Sequence, residues 1–105
     1  RVRWQIREDT KALLQRVDLI VSPTNPCTAA RIDTPLPQPG FSLSHFSGGH
    51  NLTGIPAISV PGGVSADGLP IGVMFAARHF DEVTLLRGAH AYEQLAGWDT
   101  RPPLI

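Results

Sequence analysis

Five prolines and a glycine, Pro23, Pro26, Pro35, Pro37, Pro39 and Gly40, crowd into positions 23–40. Each proline fixes φ and removes a backbone donor, so neither a helix nor a paired strand can run through the region. Residues 24–49 therefore read as one long loop, which splits the chain into a helix–strand unit before it and a strand–strand–helix unit after it. Loops beyond about 12–15 residues are uncommon inside compact domains unless they carry function or pack on other protein. The loop points outward, toward a ligand or a neighbour.

The flanking units follow from periodicity. Val2, Ile6, Leu13 and Val17, with Leu14 beside them, form an apolar stripe at helical spacing, and predict a surface helix over 1–17. Leu19-Ile20-Val21 is an unbroken apolar run closed by Ser22-Pro23, too short for a helix, and predicts a buried strand over 18–22. Two further runs, at 57–61 and 70–77, are joined through Gly62-Gly63 and the turn signal Asp67-Gly68, and predict a hairpin. Both are apolar or small on each face, which places the pair inside a larger sheet covered on both sides. The last element is a helix over 81–96. Asp81 is a good N-cap, Phe80 can staple onto Leu85, and Gly97 stands at C′. Leu85, Ala89, Tyr92 and Ala96 mark its buried face, with Gly88 allowing close approach to the sheet. The fold class is α/β, a mixed sheet flanked by helices.

Composition bounds the function. The 105 residues carry 42% apolar and only 17% charged side chains, against roughly 25% charged in an average soluble domain. So thin a polar surface on so small a chain suggests that other protein normally covers part of it. Nine basic and nine acidic residues cancel without forming a block of one sign, so nothing attracts nucleic acid or an anionic membrane. No stretch reaches the ~18 apolar residues of a membrane span, and the opening Arg1-Val2-Arg3-Trp4-Gln5 has no apolar signal core. Without an initiator methionine, the chain reads as beginning mid-protein. The lone Cys27 has no disulfide partner and no second cysteine for a zinc site, which fits a reducing compartment, and the expected location is the cytoplasm. His45 and His50 sit in the loop, with His79 and His90 at opposite ends of the last helix region. That spacing makes no ligand cluster, and no metal or cofactor is expected.

Three stretches carry a family pattern: Asn51-Leu52-Thr53-Gly54-Ile55-Pro56-Ala57-Ile58-Ser59-Val60-Pro61, then Asp67-Gly68-Leu69-Pro70-Ile71-Gly72-Val73, then Phe80-Asp81-Glu82-Val83-Thr84-Leu85-Leu86. Together with Asp18-Leu19-Ile20-Val21-Ser22-Pro23-Thr24, which is similar to a strand ending in a Thr-Pro-Thr turn, they resemble the C-terminal region of the amidase signature family. The resemblance spans nearly the whole chain, in order. It implies a carbon–nitrogen hydrolase acting on a linear amide. In that family a lysine relays a proton through a serine held in a cis peptide to a nucleophilic serine, while backbone amides hold the oxyanion. All of that machinery lies N-terminal to the region that this chain matches, so the chain alone is expected to be inactive and to hold no catalytic residue. Its only lysine, Lys11, stands on a surface helix, and Ser47-Gly48-Gly49 precedes the Asn51 motif, where the family keeps no nucleophile.

The resemblance also implies a place for the substrate. The segment before the Asn51 motif walls part of the family's substrate funnel, so Phe41, Leu43 and Phe46 are candidate apolar lining for an acyl or aryl group, or else anchors of the long loop. Two readings fit Asn51 and Thr53: turn chemistry that satisfies backbone groups, or contacts beside the substrate. Where the family's tRNA amidotransferase subunits carry a substrate-reading aspartate, an ungapped count places Ser44, which argues against glutamine as the substrate. The partners implied are the N-terminal remainder of the same protein and a small amide. A non-catalytic, self-associating module is the competing reading, and an isolated chain is expected to associate through its open sheet edges.

Overall fold

The computed structural model describes residues 1–35 and 46–98. Their elements are helix α1 (Val2–Leu14), strand β1 (Ile20–Pro23), helix α2 (Ser47–Thr53), strands β2 (Ala57–Val64) and β3 (Pro70–Ala76), and helix α3 (Glu82–Ala96). The strands form one sheet in the order β1-β3-β2, with both pairings antiparallel. The mixed character expected of the sheet is therefore not in the three strands described. β2 and β3 pair as a hairpin whose turn is closed by Gly68 N–H donating to Ser65 O (2.9 Å), with Gly68 at φ 83°. A register shift between Pro61 and Gly63 makes a bulge at the far end of β2.

Side-chain alternation divides the sheet into two faces. On one, Val60 and Phe75, with Ile58 and Val73, meet Leu85 and Ala89 of α3. The Phe75 and Tyr92 rings lie 5.5 Å apart at 54°, a tilted geometry favoured by the ring quadrupoles. Asp81 caps α3, its carboxylate accepting from Thr84 N–H at 3.3 Å, and Gly97 ends it at φ 62°. Gly88 gives the close approach that the sequence suggests: a Cβ there would collide with Leu19 Cδ1. The Phe80 staple does not form, since Phe80 is exposed and takes φ 60°. Arg78 links the approach to β1 with the end of β3, donating to Val17 O at 3.1 Å and Asp18 Oδ1 at 3.3 Å.

The other face holds a smaller cluster of Leu14, Ile55 and Ala76, with Ile20 against it. α1 supplies only Leu14 to it as a buried residue; Val2, Leu13 and Val17 of the expected stripe are exposed. The helix also stops three residues before the expected 17. β1 alternates half-buried and exposed positions instead of being buried throughout, because no described element covers its α3 side at Val21.

The largest departure from the sequence reading is α2, which replaces the end of the loop expected over 24–49. Gly48 and Gly49 in its first turn each cost about 1 kcal/mol relative to alanine, so the segment reads as loop. What holds it is local and tertiary bonding: Thr53 Oγ1 donates to Gly49 O (2.9 Å), and Gly54, at φ 77°, closes it through His50 O (2.7 Å). Arg3 Nε of α1 donates to Leu52 O at 3.1 Å.

Candidate functional site

The face opposite α3 is recessed and largely uncovered. Register places Ser22, Met74 and Ser59 on one rung, with Thr24 following Pro23 beside Gly72. Thr24 Oγ1 and Ser59 Oγ are hydrogen-bonded at 2.5 Å. Only glycine fits beneath them: a Cβ on Gly72 would stand 2.7 Å from the Thr24 hydroxyl and 2.8 Å from that of Ser59. The sequence suggests that Gly72 makes room for another group, and the structure names that group as this hydroxyl pair. One hydroxyl donates to the other, so the pair keeps one free O–H and acceptor lone pairs facing out.

Two hollows meet at Ser59. The larger, about 860 Å³, lies between the segment from Pro23 to Ala30 and the strands, with Val60, Pro61, Ile71 and Cys27 in its walls. The smaller, about 380 Å³, is lined by Ser47, His50, Asn51, Ile55, Ile58 and Met74. Half-burial lowers the His50 pKa from the ordinary imidazole value by disfavouring the charged ring.

The candidate substrate residues separate. Asn51 is exposed on α2 and lines the smaller hollow. Phe46 is half-buried at the position just before α2. Thr53 is buried, its hydroxyl committed to helix carbonyls at 2.9 and 3.2 Å, which is a structural use of the side chain. Phe41, Leu43 and Ser44 lie outside the described residues. Lys11 is exposed on α1. No group of three or more His, Cys, Asp or Glu side chains that could hold a metal ion occurs among the described residues, and no helix there is long and apolar enough to cross a membrane. The sequence reading missed Thr24 and Ser59 as a pair. Its available signal was Ser59 within an otherwise apolar strand run and Thr24 just after the Ser22-Pro23 that closes another.

A family model described as Amidase matches residues 1–86. The chain belongs to the amidase signature family. It is 43% identical to the A subunit of glutamyl-tRNA(Gln) amidotransferase from Brevibacillus brevis over 97% of its own length and 21% of that protein's. The corresponding protein of Thermodesulfovibrio yellowstonii is 40% identical, with 99% and 22% covered. Among solved structures, it superposes on the glutamyl-tRNA(Gln) amidotransferase A subunit of Thermotoga maritima with a TM-score of 0.83 at 35% identity, covering 93% of this chain and 22% of that one. A 6-aminohexanoate cyclic dimer hydrolase complexed with substrate gives 0.79 at 28%, covering 92% and 23%. This amidase signature chain thus spans about a fifth of the length of these relatives, and matches their C-terminal part.

Proposed function

We propose that this chain is the C-terminal wall of an amide-cleaving enzyme whose Ser-Ser-Lys machinery lies in protein outside it. The observation that carries the reading is the match of nearly the whole chain, in order, to about a fifth of the amidase relatives. In the complete protein the nucleophilic serine gives its proton through the middle serine to the lysine and adds to a linear amide, the amine leaves with that proton relayed back, and water releases the acid. From this chain, Asn51, Phe46 and the segment carrying Phe41 and Leu43 line the pocket. Thr53 acts one step back, fixing the helix that presents Asn51. No cofactor takes part. The location proposed for the enzyme is the cytoplasm, which suits the free thiol of Cys27.

The test is hydrolysis of a panel of acyl and aryl amides, and of glutamine, by the full-length protein and by residues 1–105 alone. The full-length protein should turn over at least one panel member and the short chain none. A full-length protein inactive on every member would overturn the reading. Activity of the short chain would overturn the placement of the catalytic residues. In the active protein, Asn51→Ala should raise KM by about 10-fold, the loss expected of one hydrogen bond worth about 1.4 kcal/mol.

The competing reading, a self-associating module, is favoured by one observation, the open strand edges of β1 and β2. Light scattering decides it. A native product ending near Arg1 that forms a defined dimer would support the module, and a native protein several times longer would support the enzyme.

A further inference from the structure

The hydroxyl pair of Thr24 and Ser59 stands where packing alone gives no reason for it. Register puts Ala76, Met74 and Gly72 of β3 on the face away from α3, with Ala57, Ser59 and Pro61 of β2 beside them. Ala76 and Met74 are buried, and the row then drops to a glycine whose missing side chain is replaced by two hydroxyls. On the α3 side the same stretch of sheet is filled by Val60, Val73 and Phe75. Ser59 is exposed and Thr24 half-buried, so water serves either hydroxyl nearly as well, and their mutual hydrogen bond adds little to stability. What the arrangement secures is position. Gly72 leaves room for the two oxygens, Thr24 N–H is tied to Gly72 O at 3.0 Å, and each hydroxyl orients the other. Whichever of them donates, the pair offers outward one O–H and no charge.

The surroundings define what that O–H meets. Ser59 borders both hollows, so a group entering past Asn51 passes the pair before it reaches the larger space. That space, about 860 Å³, is walled by carbon at Val60, Pro61 and Ile71 and falls within the range of small-molecule sites. Among the described residues, no Asp, Glu, Lys or Arg lines either hollow. The half-burial that lowers the His50 pKa keeps that ring neutral at pH 7. An ammonium or carboxylate lodged here loses hydration and gains no counter-charge, whereas a carbonyl needs only one donor.

We propose that the Thr24–Ser59 pair is a specificity-determining subsite: its free O–H donates to an uncharged carbonyl in the non-reacting part of the amide substrate, and the larger hollow takes the apolar chain that carries this carbonyl. The preferred substrate is a neutral acyl amide with a second carbonyl, not an amino-acid amide bearing ammonium and carboxylate. The inference rests on the proposed amidase reading and adds the substrate class to it. A purely structural pair and a hollow filled by further protein are the competing uses, and each has its own signature.

The test uses the full-length protein with the p-nitroanilides of hexanoic acid, of its derivatives with a ketone at each internal position beyond the α-carbon, and of adipic acid as the mono-anilide. For the best keto amide kcat/KM should exceed that of the hexanoyl amide by about 10-fold, the loss of one hydrogen bond. Thr24→Val or Ser59→Ala should each bring this ratio to within about twofold, and Thr24→Ser should keep it. Variants that slow all the amides alike and leave the ratio unchanged would make the pair structural and overturn the inference. Faster turnover of the adipic amide than of every keto amide would overturn the uncharged subsite. Occupancy by further protein is read at Cys27, which stands in the wall of the same hollow. N-ethylmaleimide should alkylate Cys27 in the native full-length protein, located by peptide mapping. The best-bound keto amide should slow that labelling about 10-fold at ten times its Kd, a protection that Thr24→Val weakens. A Cys27 that reacts only after unfolding would show the hollow to be filled, and labelling that no keto amide slows would show it to be unused; either sinks the proposal. Labelling needs no turnover, so a protein that hydrolyses none of the amides yet shows this protection would overturn the amidase reading and keep the subsite.

Discussion

The two faces of the sheet are built to different degrees. Under α3 the β2–β3 hairpin is packed: Val60, Phe75, Ala77, Leu85 and Ala89 are buried together, and both ends of the helix are capped. Across the sheet, Leu14, Ile55 and Ala76 make a cluster at one end only, and the rest is an open hollow floored by Gly72 and two hydroxyls. One face is a core and the other is half of one. A small chain that leaves a sheet face and a strand edge uncovered is shaped to meet more protein, in agreement with its fifth-length match to the amidase relatives.

The largest effect that would sharpen this contrast lies at Leu85. Leu85→Ala empties a site in the packed layer and should cost about 2–5 kcal/mol in urea unfolding, whereas truncating exposed Leu95 in the short chain should stay within about 0.5 kcal/mol. Equal losses would mean that the α3 layer is not the self-sufficient one.

Gly72 comes next. Gly72→Ala drives a methyl into the Thr24 and Ser59 hydroxyls, and overpacking of this kind typically costs about 1–3 kcal/mol. Because both neighbours are hydroxyls on an open face, the effect should sit at the low end in the short chain. Pairing it with Ser59→Gly should restore most of the loss, and the double-mutant cycle measures how much of the strain lies in that one contact.

The legibility of the fold follows the same division. α3 could be read because its N-cap, C′ glycine and apolar face all lie within one local window, and the structure bears out the capping by Asp81 and Gly97. The α2 segment could not, because Gly48 and Gly49 argue against a helix and part of what stabilises it comes from afar, through Arg3. The Phe80 staple failed for a backbone reason, the positive φ that turns the chain before Asp81. Of the candidate site, the family motif marked Asn51. The Thr24–Ser59 pair needed a register between β1, β3 and β2 that no local pattern states.

Thr53 gives a smaller and more specific effect. Thr53→Val keeps the volume and removes the hydroxyl that bonds Gly49 O and His50 O, so α2 should lose about 1 kcal/mol, seen as faster amide exchange at Gly54. If Thr53→Val instead left Gly54 exchange unchanged and altered substrate KM, the side chain would belong to the substrate and not to the helix.

The smallest effect is a pH dependence at His50, which lines the less covered face. Its folded-state pKa is lowered by burial, so the unfolded chain takes up the proton first as pH falls. Stability is therefore greatest above the ordinary imidazole pKa of about 6.5 and declines as pH drops through it toward the depressed folded value. His50→Gln should flatten that slope in urea titrations at pH 5–7, in a direction opposite to what a histidine paired with a carboxylate would give. Comparing the short chain with the full-length protein then tests the two-face contrast itself. If further protein covers the hollow, His50 is more deeply buried there and the slope steepens; a slope that stays the same would mean that this face is open to water in the complete protein as well.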